Sequence, residues 1–366
     1  MKVLSDAELA GIKLRNRFVR SATYEGMADD AGHVTEELIA TLSALAEGEI
    51  GLIISGHSFV MPSGRAGAHQ QAIDNDACVP GLAELAAAVH EHGSKIVIQL
   101  AHAGGMAAVD DPAGPSGFAA ARTGRVCRAM TTEEIGQAVK AYAAAAQRAK
   151  DAGCDGVQIH SAHGYMLSQF LSPHFNQRTD EYGGTLENRA RLLLEIVAAI
   201  RAQVGHQCPL LVKINSQDFM DDGLTEEDFL QVAQWLEKAG VDAIEVSGGV
   251  LTSENNLGPS RRGRLALEDE GYFRSTAAKL KQLVRIPVIL VGGIRTPEAA
   301  ERLLMDGVAD FFSLSRPLIR EPGLVRRWRE GDTSSATCVS CNLCFRPVML
   351  RQKVYCLAAA KQSGSK

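Results

Sequence analysis

Eight short apolar runs, separated by helical stretches, constrain this chain more than any other feature. Residues 18–22, 51–55, 95–100, 156–159, 210–214, 241–246, 287–291 and 310–314 each read as a strand. Most are apolar at consecutive positions, so both faces must be covered by other elements. Helical patterns lie between and after them, at 35–47, 79–92, 131–152, 186–204, 225–239, 272–284, 297–305 and 322–329. Thr35 is placed to cap the first helix and Gly48 to stop it, while Thr225 and Asp228 form a capping pattern ahead of the fifth. One long loop is expected over 101–130. Eight β/α units predict a closed (β/α)8 TIM barrel, an α/β fold whose site lies on the loops after the strands. The alternative, an open doubly wound sheet, is disfavoured because no Gly-x-Gly-x-x-Gly follows the first strand.

At 366 residues the chain can hold such a barrel with some length to spare. Its net charge of −5 comes without a basic block, which argues against nucleic acid or an anionic membrane surface as partner. Residues 1–11 are polar, include Asp6 and Glu8, and do not resemble a signal peptide. No apolar run approaches the ~20 residues that cross a bilayer. A cytoplasmic location is therefore expected. Cys78, Cys127, Cys154 and Cys208 are scattered singly, as small buried residues are, whereas Cys338, Cys341, Cys344 and Cys356 are clustered. In a cytoplasmic chain that cluster points to metal rather than disulfides. The expected division is a barrel over 1–332 and a cysteine-containing extension over 333–366.

Polar residues gather where the strands end. The fourth strand runs into His160, His163 and Tyr165, two imidazoles and a phenol within six residues. Two histidines can donate hydrogen bonds to one carbonyl oxygen, and a tyrosine beside them can protonate a nearby carbon. The other strands lead to Ser21-Ala22-Thr23-Tyr24, His57, Gln99 with His102 beyond it, Lys213 with Asn215, Ser247, Gly292-Gly293 and Ser315-Arg316. Each alone is compatible with simple packing; their recurrence at every strand end indicates a site. A Gly-Gly turn entering a helix beside Ser315-Arg316 suits a phosphate, through backbone N–H groups and a bidentate guanidinium. A phosphorylated ligand that also reaches Gln99 and Lys213 must be long and flat, which describes flavin mononucleotide. Its amide edges suit Gln99, and the reduced anionic ring suits Lys213.

The chain resembles the old yellow enzyme family of flavin-dependent ene-reductases, most closely the branch with 2,4-dienoyl-CoA reductase, 2-enoate reductase and trimethylamine dehydrogenase. The motifs that carry the resemblance are Arg15-Asn16-Arg17-Phe18, Gln99 to Gly104, His160 to Tyr165, Arg178 to Gly184, Glu187-Asn188-Arg189 and Ser315-Arg316. The resemblance implies that Ser21 to Tyr24 and His57 line the flavin ring, Gln99 holds its pyrimidine edge and Lys213 stands near N1. Many relatives have arginine at the Lys213 position. The resemblance further implies that His160 and His163 grip a substrate carbonyl and that Tyr165 protonates the α-carbon. NADH or NADPH would supply the hydride that passes through the flavin to an activated alkene. The four clustered cysteines resemble a [4Fe–4S] motif, with structural zinc or no metal as alternatives. Competing functions are an amine dehydrogenase on the same fold, a flavin-binding subunit without catalysis, and a non-redox lyase or isomerase using Lys213 as Schiff base. Barrels often pair through exposed ends, so a homo-oligomer is compatible with this reading.

Overall fold

Alternation along the strands sorts side chains onto two surfaces, and those surfaces close on themselves. A computed structural model describes residues 1–119, 124–253 and 255–362. The barrel strands are β1 (Phe18–Arg20), β2 (Leu52–Ile54), β3 (Lys95–Ala101), β4 (Gly156–Ser161), β5 (Leu210–Asn215), β6 (Ala243–Ser247), β7 (Val288–Val291) and β8 (Phe311–Leu314). Each pairs in parallel with the next, and β8 pairs with β1 to complete the ring. The intervening helices are α1 (Glu36–Glu47), α2 (Val79–Glu91), α3 (Thr132–Asp151), α4 (Leu186–Val204), α5 (Glu226–Lys238), α6 (Arg274–Leu283) and α7 (Pro297–Met305), with α8 (Leu324–Arg329) after β8. The expected (β/α)8 barrel is the observed fold.

Outward residues such as Ile98, Ile159, Val212, Ile244 and Phe312 join the helix faces in one large apolar cluster. Inward residues, among them Val19, Leu52, Val97, Leu211, Ile289 and Phe311, form a second cluster inside the ring. An antiparallel hairpin of Ala7–Leu9 and Ile12–Leu14 adds Leu9, Ile12 and Leu14 to that inner cluster and so plugs one end of the barrel. Its turn has positive φ at both Ala10 and Gly11, the geometry of the tightest hairpins. With one end sealed by apolar side chains, the other end is left for ligands.

Several elements depart from the sequence reading. The loop expected over 101–130 contains a small sheet of Ala113–Gly114, Phe118–Ala119 and Val126–Ala129, pieces too short to show a period. Residues 120–123 of that loop lie outside the described residues. The helix Met166–Leu171 is buried at every position, so no polar stripe announces it. After α8, residues 333–362 return over the barrel mouth. Val354 N–H donates to the Glu25 carbonyl at 2.7 Å, and Ala336 N–H donates to the Arg295 carbonyl at 2.8 Å. Two short helices, Phe345–Met349 and Leu357–Gln362, lie in this stretch; residues 363–366 of the expected extension lie outside the described residues. Among the described residues, no helix is long and apolar enough to cross a membrane.

Candidate active site

At the open end, the inward positions change from apolar to polar by register alone. Lys213 on β5 pairs with Glu245 on β6, and Gln99 on β3 pairs with Gln158 on β4. These four side chains, with Ser21, form one buried network. Lys213 Nζ donates to Ser21 Oγ at 2.7 Å and to Glu245 Oε1 at 3.2 Å. Ser21 Oγ donates to the same carboxylate oxygen at 2.7 Å. Gln158 Nε2 donates to Glu245 Oε2 at 2.9 Å, and Gln99 Nε2 donates to Gln158 Oε1 at 2.7 Å. Burial alone would raise the Glu245 carboxyl, but the Lys213 ammonium and the donors from Ser21 and Gln158 hold it below the ordinary value.

Above this layer lies a cavity of about 1110 Å³. Ser21, Ala22, Thr23, Tyr24, His57, His160, His163, Tyr165, Lys213, Gly292, Gly293, Ser315 and Arg316 all line it. Gln99 does not: it sits one layer deeper with its amide turned onto Gln158. The pocket thus has a cation at its floor, imidazoles on one side and a Gly-Gly turn with an arginine at the far end.

The imidazole side is held by its own neighbours. His160 is the penultimate residue of β4, and its ring lies 5.2 Å from His163 and 5.0 Å from Tyr165, centroid to centroid. His163 takes a left-handed backbone, φ +64, which a non-glycine residue adopts at a cost. Two contacts fix it there: Asn215 Oδ1 accepts its N–H at 3.1 Å, and Ser247 Oγ bonds its Nε2 at 2.7 Å. Tyr165 follows and caps the buried Met166–Leu171 helix. Gln169 in that helix donates to the Ala103 and Gly164 carbonyls and accepts from Gly105 N–H, bracing the loop from below. Burial, reinforced by neighbouring positive charge, pushes His160 and His163 well below the usual imidazole range. Both rings are neutral at pH 7 and each carries one N–H; that of His163 sits on Nδ1 when Ser247 donates to its Nε2. His160 Nδ1 is buried with no hydrogen-bond partner among the described residues.

His57 carries a determinate proton. Gln70 Oε1 accepts Ala66 N–H at 2.6 Å, so its amide nitrogen must face His57, donating to Nδ1 at 2.7 Å and to the carbonyl at 2.9 Å. Burial lowers this ring to about 4. A neutral His57 with Nδ1 accepting keeps its hydrogen on Nε2, which stands 3.4 Å from the Tyr165 hydroxyl. His102 is also buried, lowered to about 4, and packs behind the loop: its Nδ1 accepts Gly104 N–H at 3.0 Å.

At the far end Gly292 and Gly293 have φ of +113 and +81. A Cβ on Gly292 would lie 2.4 Å from the Tyr272 ring, so both conformation and space demand glycine. Thr23 and Ser315 hydroxyls meet at 2.7 Å. Arg316 stands beside this turn, where the sequence places a bidentate guanidinium for a phosphate. Its Nη1 is taken by Asn342 Oδ1 at 2.6 Å and the Arg261 carbonyl at 2.8 Å. Nε and Nη2 make no hydrogen bond among the described residues, so the side chain keeps one edge for an anion.

The clustered cysteines surround one small cavity between Arg316 and Arg320. All four are reduced, with Cys338 and Cys344 buried. Ser340 N–H points at Cys338 Sγ at 3.5 Å, and Arg320 Nη1 lies 3.8 Å from Cys356 Sγ. Among the described residues no three His, Cys, Asp or Glu side chains are gathered closely enough for a single metal ion.

Sequence reasoning missed Glu245, Gln158, Gln70 and Gln169. The first two show the same signal that singles out Lys213 and Gln99, a polar residue inside an apolar strand. Gln70 and Gln169 act through loops and carry no such mark. Conversely, the motif residues 178–189 do not reach the cavity. Arg178 Nη1 donates to the Pro115 and Met130 carbonyls, and Arg189 Nη2 pairs with Asp228 at 3.0 Å, so these groups hold loops together.

Comparison with known proteins shows the family and the fold. The sequence pattern of the NADH:flavin oxidoreductase / NADH oxidase family matches residues 8–334. An NADH oxidase of Thermoanaerobacter brockii is 37% identical over 93% of this chain, which spans 53% of that relative's length. An NADPH dehydrogenase of Bacillus subtilis is 37% identical, covering 89% of this chain and 93% of that one. Among solved structures, a 2-naphthoyl-CoA reductase bound to 2-naphthoyl-CoA superposes with TM-score 0.90 at 27% identity, over 97% of this chain and 56% of that one. A histamine dehydrogenase from Rhizobium sp. 4-9 superposes at 0.85 with 26% identity, over 97% and 52%. With the family pattern running through all eight barrel strands, this chain belongs to the NADH:flavin oxidoreductase / NADH oxidase family.

Proposed function

We propose that the protein is an FMN-dependent, NAD(P)H-driven reductase of activated alkenes. The observation that carries this reading is the trio of His160, His163 and Tyr165 facing one cavity above Lys213. Lys213, Ser21, Thr23, the Gly292-Gly293 turn and Arg316 are the residues that would hold the flavin. Bound there, the flavin would supply hydride transfer, from the nicotinamide and onward to the substrate β-carbon. Neutral His160 and His163 can each donate one N–H to a substrate carbonyl oxygen, drawing electron density from the conjugated double bond. Tyr165 then delivers a proton to the α-carbon. His57 Nε2–H, aimed at the Tyr165 oxygen, stabilises the phenolate left behind. A Schiff-base mechanism is disfavoured, because Lys213 Nζ is committed to Glu245 and Ser21 and an amine in a buried ion pair is no nucleophile. Paired N–H donors suit a carbonyl oxygen better than they suit a cationic amine, which favours alkene reduction over amine oxidation.

We further propose that Cys338, Cys341, Cys344 and Cys356 hold a [4Fe–4S] cluster. A cubane spreads its four thiolates wider than a single ion does, and Arg316 and Arg320 offset their negative charge.

The reading is tested by separating the half-reactions of Tyr165→Phe in anaerobic stopped flow. Flavin reduction by NAD(P)H should stay near the parent rate. Reoxidation by an α,β-unsaturated carbonyl should slow by roughly 10²–10⁴-fold, the usual cost of losing a general acid. Reoxidation at the parent rate would remove Tyr165 from that role.

A further inference from the structure

The buried network beneath the cavity contains a carboxylate to which no flavin or substrate role has been given. Glu245 is fully buried in the barrel interior, and its partner Lys213 is only 3% exposed. Both oxygens are used, one by Lys213 and Ser21, the other by Gln158. A carboxylate can only accept, and that fixes everything bonded to it. Gln158 must turn its NH₂ toward Glu245, which leaves its carbonyl for Gln99. Gln99 must then turn its own NH₂ toward Gln158. Its Oε1 is left accepting no hydrogen bond among the described residues. A single charge thus sets the direction of two amides in series.

The same charge also faces the cation at the cavity floor. Lys213 lines the cavity and Glu245 does not. Whatever binds above therefore meets an ammonium whose field is largely cancelled from below. For a ring that gains negative charge on reduction, cancelling that field lowers the reduction potential.

We infer that Glu245 is a positioning residue for the flavin, one that acts through Lys213: it balances the ammonium at the cavity floor and sets the direction of the Gln158 and Gln99 amides beneath it. The inference rests on the flavin reading of the cavity and adds a tuning element to it. Glu245→Gln removes the charge at nearly constant volume and permits the two amides to reverse.

The test is the midpoint potential of the holoprotein, measured by dye equilibration, with sulfite affinity as a second readout of positive charge beside the ring. Glu245→Gln should favour reduced over oxidised flavin at least tenfold, an upward shift of about 30 mV for a two-electron couple. Sulfite should bind at least tenfold more tightly. Glu245→Asp, which keeps the charge, should stay near the parent, and Lys213→Met/Glu245→Gln should return toward it because both charges are gone. A purely structural carboxylate would move neither readout in this pattern. If Glu245→Gln fails to fold, the charge-free double variant still decides: a potential near the parent supports the inference, and one shifted strongly upward overturns it. An unchanged or lowered potential in folded Glu245→Gln also overturns it. Parent protein that takes up no FMN would sink the flavin reading instead, a result distinguishable at the first spectrum.

Discussion

A lysine inside an apolar barrel is stable there only with a counter-charge, and Glu245 supplies it across one register step. The sequence shows Lys213 plainly, because a charged residue interrupts an apolar strand, but the partner can be named only once the strand register is known. The same holds for His57, whose proton is placed by Gln70 from a loop 13 residues away in sequence. The barrel's share of the cavity lining was legible from strand ends, Gln99, His102 and Asn215 excepted, whereas the part lent by residues 342–351 was not; nor was which residues orient the lining, since that depends on side chains meeting through space. Arg316 illustrates the difference. Its position beside the Gly292-Gly293 turn follows from the barrel, whereas its bond to Asn342 ties it to the cysteine-containing segment. Arg316→Ala should therefore weaken FMN binding by about 2–3 kcal/mol, the worth of charge-assisted hydrogen bonds to a phosphate. Titration of apoprotein with FMN checks this, and an affinity within twofold of the parent would contradict it.

Strands and helices long enough to show a period were readable, and their order fixed the barrel. Elements that escaped were short or buried on all sides: the three-stranded patch within 113–129, the Met166–Leu171 helix and the helices of the cysteine-containing segment. The plugging hairpin also escaped, because two three-residue strands carry too little alternation to stand out. Residues 338–356 are the element whose chemistry is most open to test. Ser340 and Asn342 take left-handed backbones, φ +53 and +62, and so wind the chain tightly enough to turn Cys338, Cys341 and Cys344 toward one cavity. Anaerobically prepared protein should contain about four irons per chain, with a broad visible shoulder under the flavin bands. One zinc per chain, or no metal at all, would contradict the cluster.

For the molecule as a whole, burying neutral imidazoles couples stability to pH. His57 and His102 are each held near 4 when folded, against about 6.5 when unfolded. Above pH 6.5 the rings are neutral in both states and cost nothing. As pH falls from 6.5 toward 4 the unfolded chain takes up protons that the folded one refuses, so stability is lost across that window. For the well-buried His102 the loss approaches about 3 kcal/mol. Denaturant unfolding at pH 7 and pH 4.5 should show it, and His102→Gln should lessen the dependence by the share of one ring, with the other buried histidines keeping the rest. A parent midpoint that is flat over this range would contradict the burial of these rings as neutral groups. The central claim, that one cavity passes hydride from a nicotinamide to a polarised alkene, is tested most directly by anaerobic reoxidation. Protein reduced with one equivalent of NAD(P)H is mixed with an α,β-unsaturated carbonyl in the absence of oxygen, and the flavin absorbance is followed together with product. The account predicts that flavin colour returns with one saturated product per flavin. A flavin that stays reduced with every activated alkene, yet reoxidises at once with oxygen or is itself reduced by an amine, would contradict it.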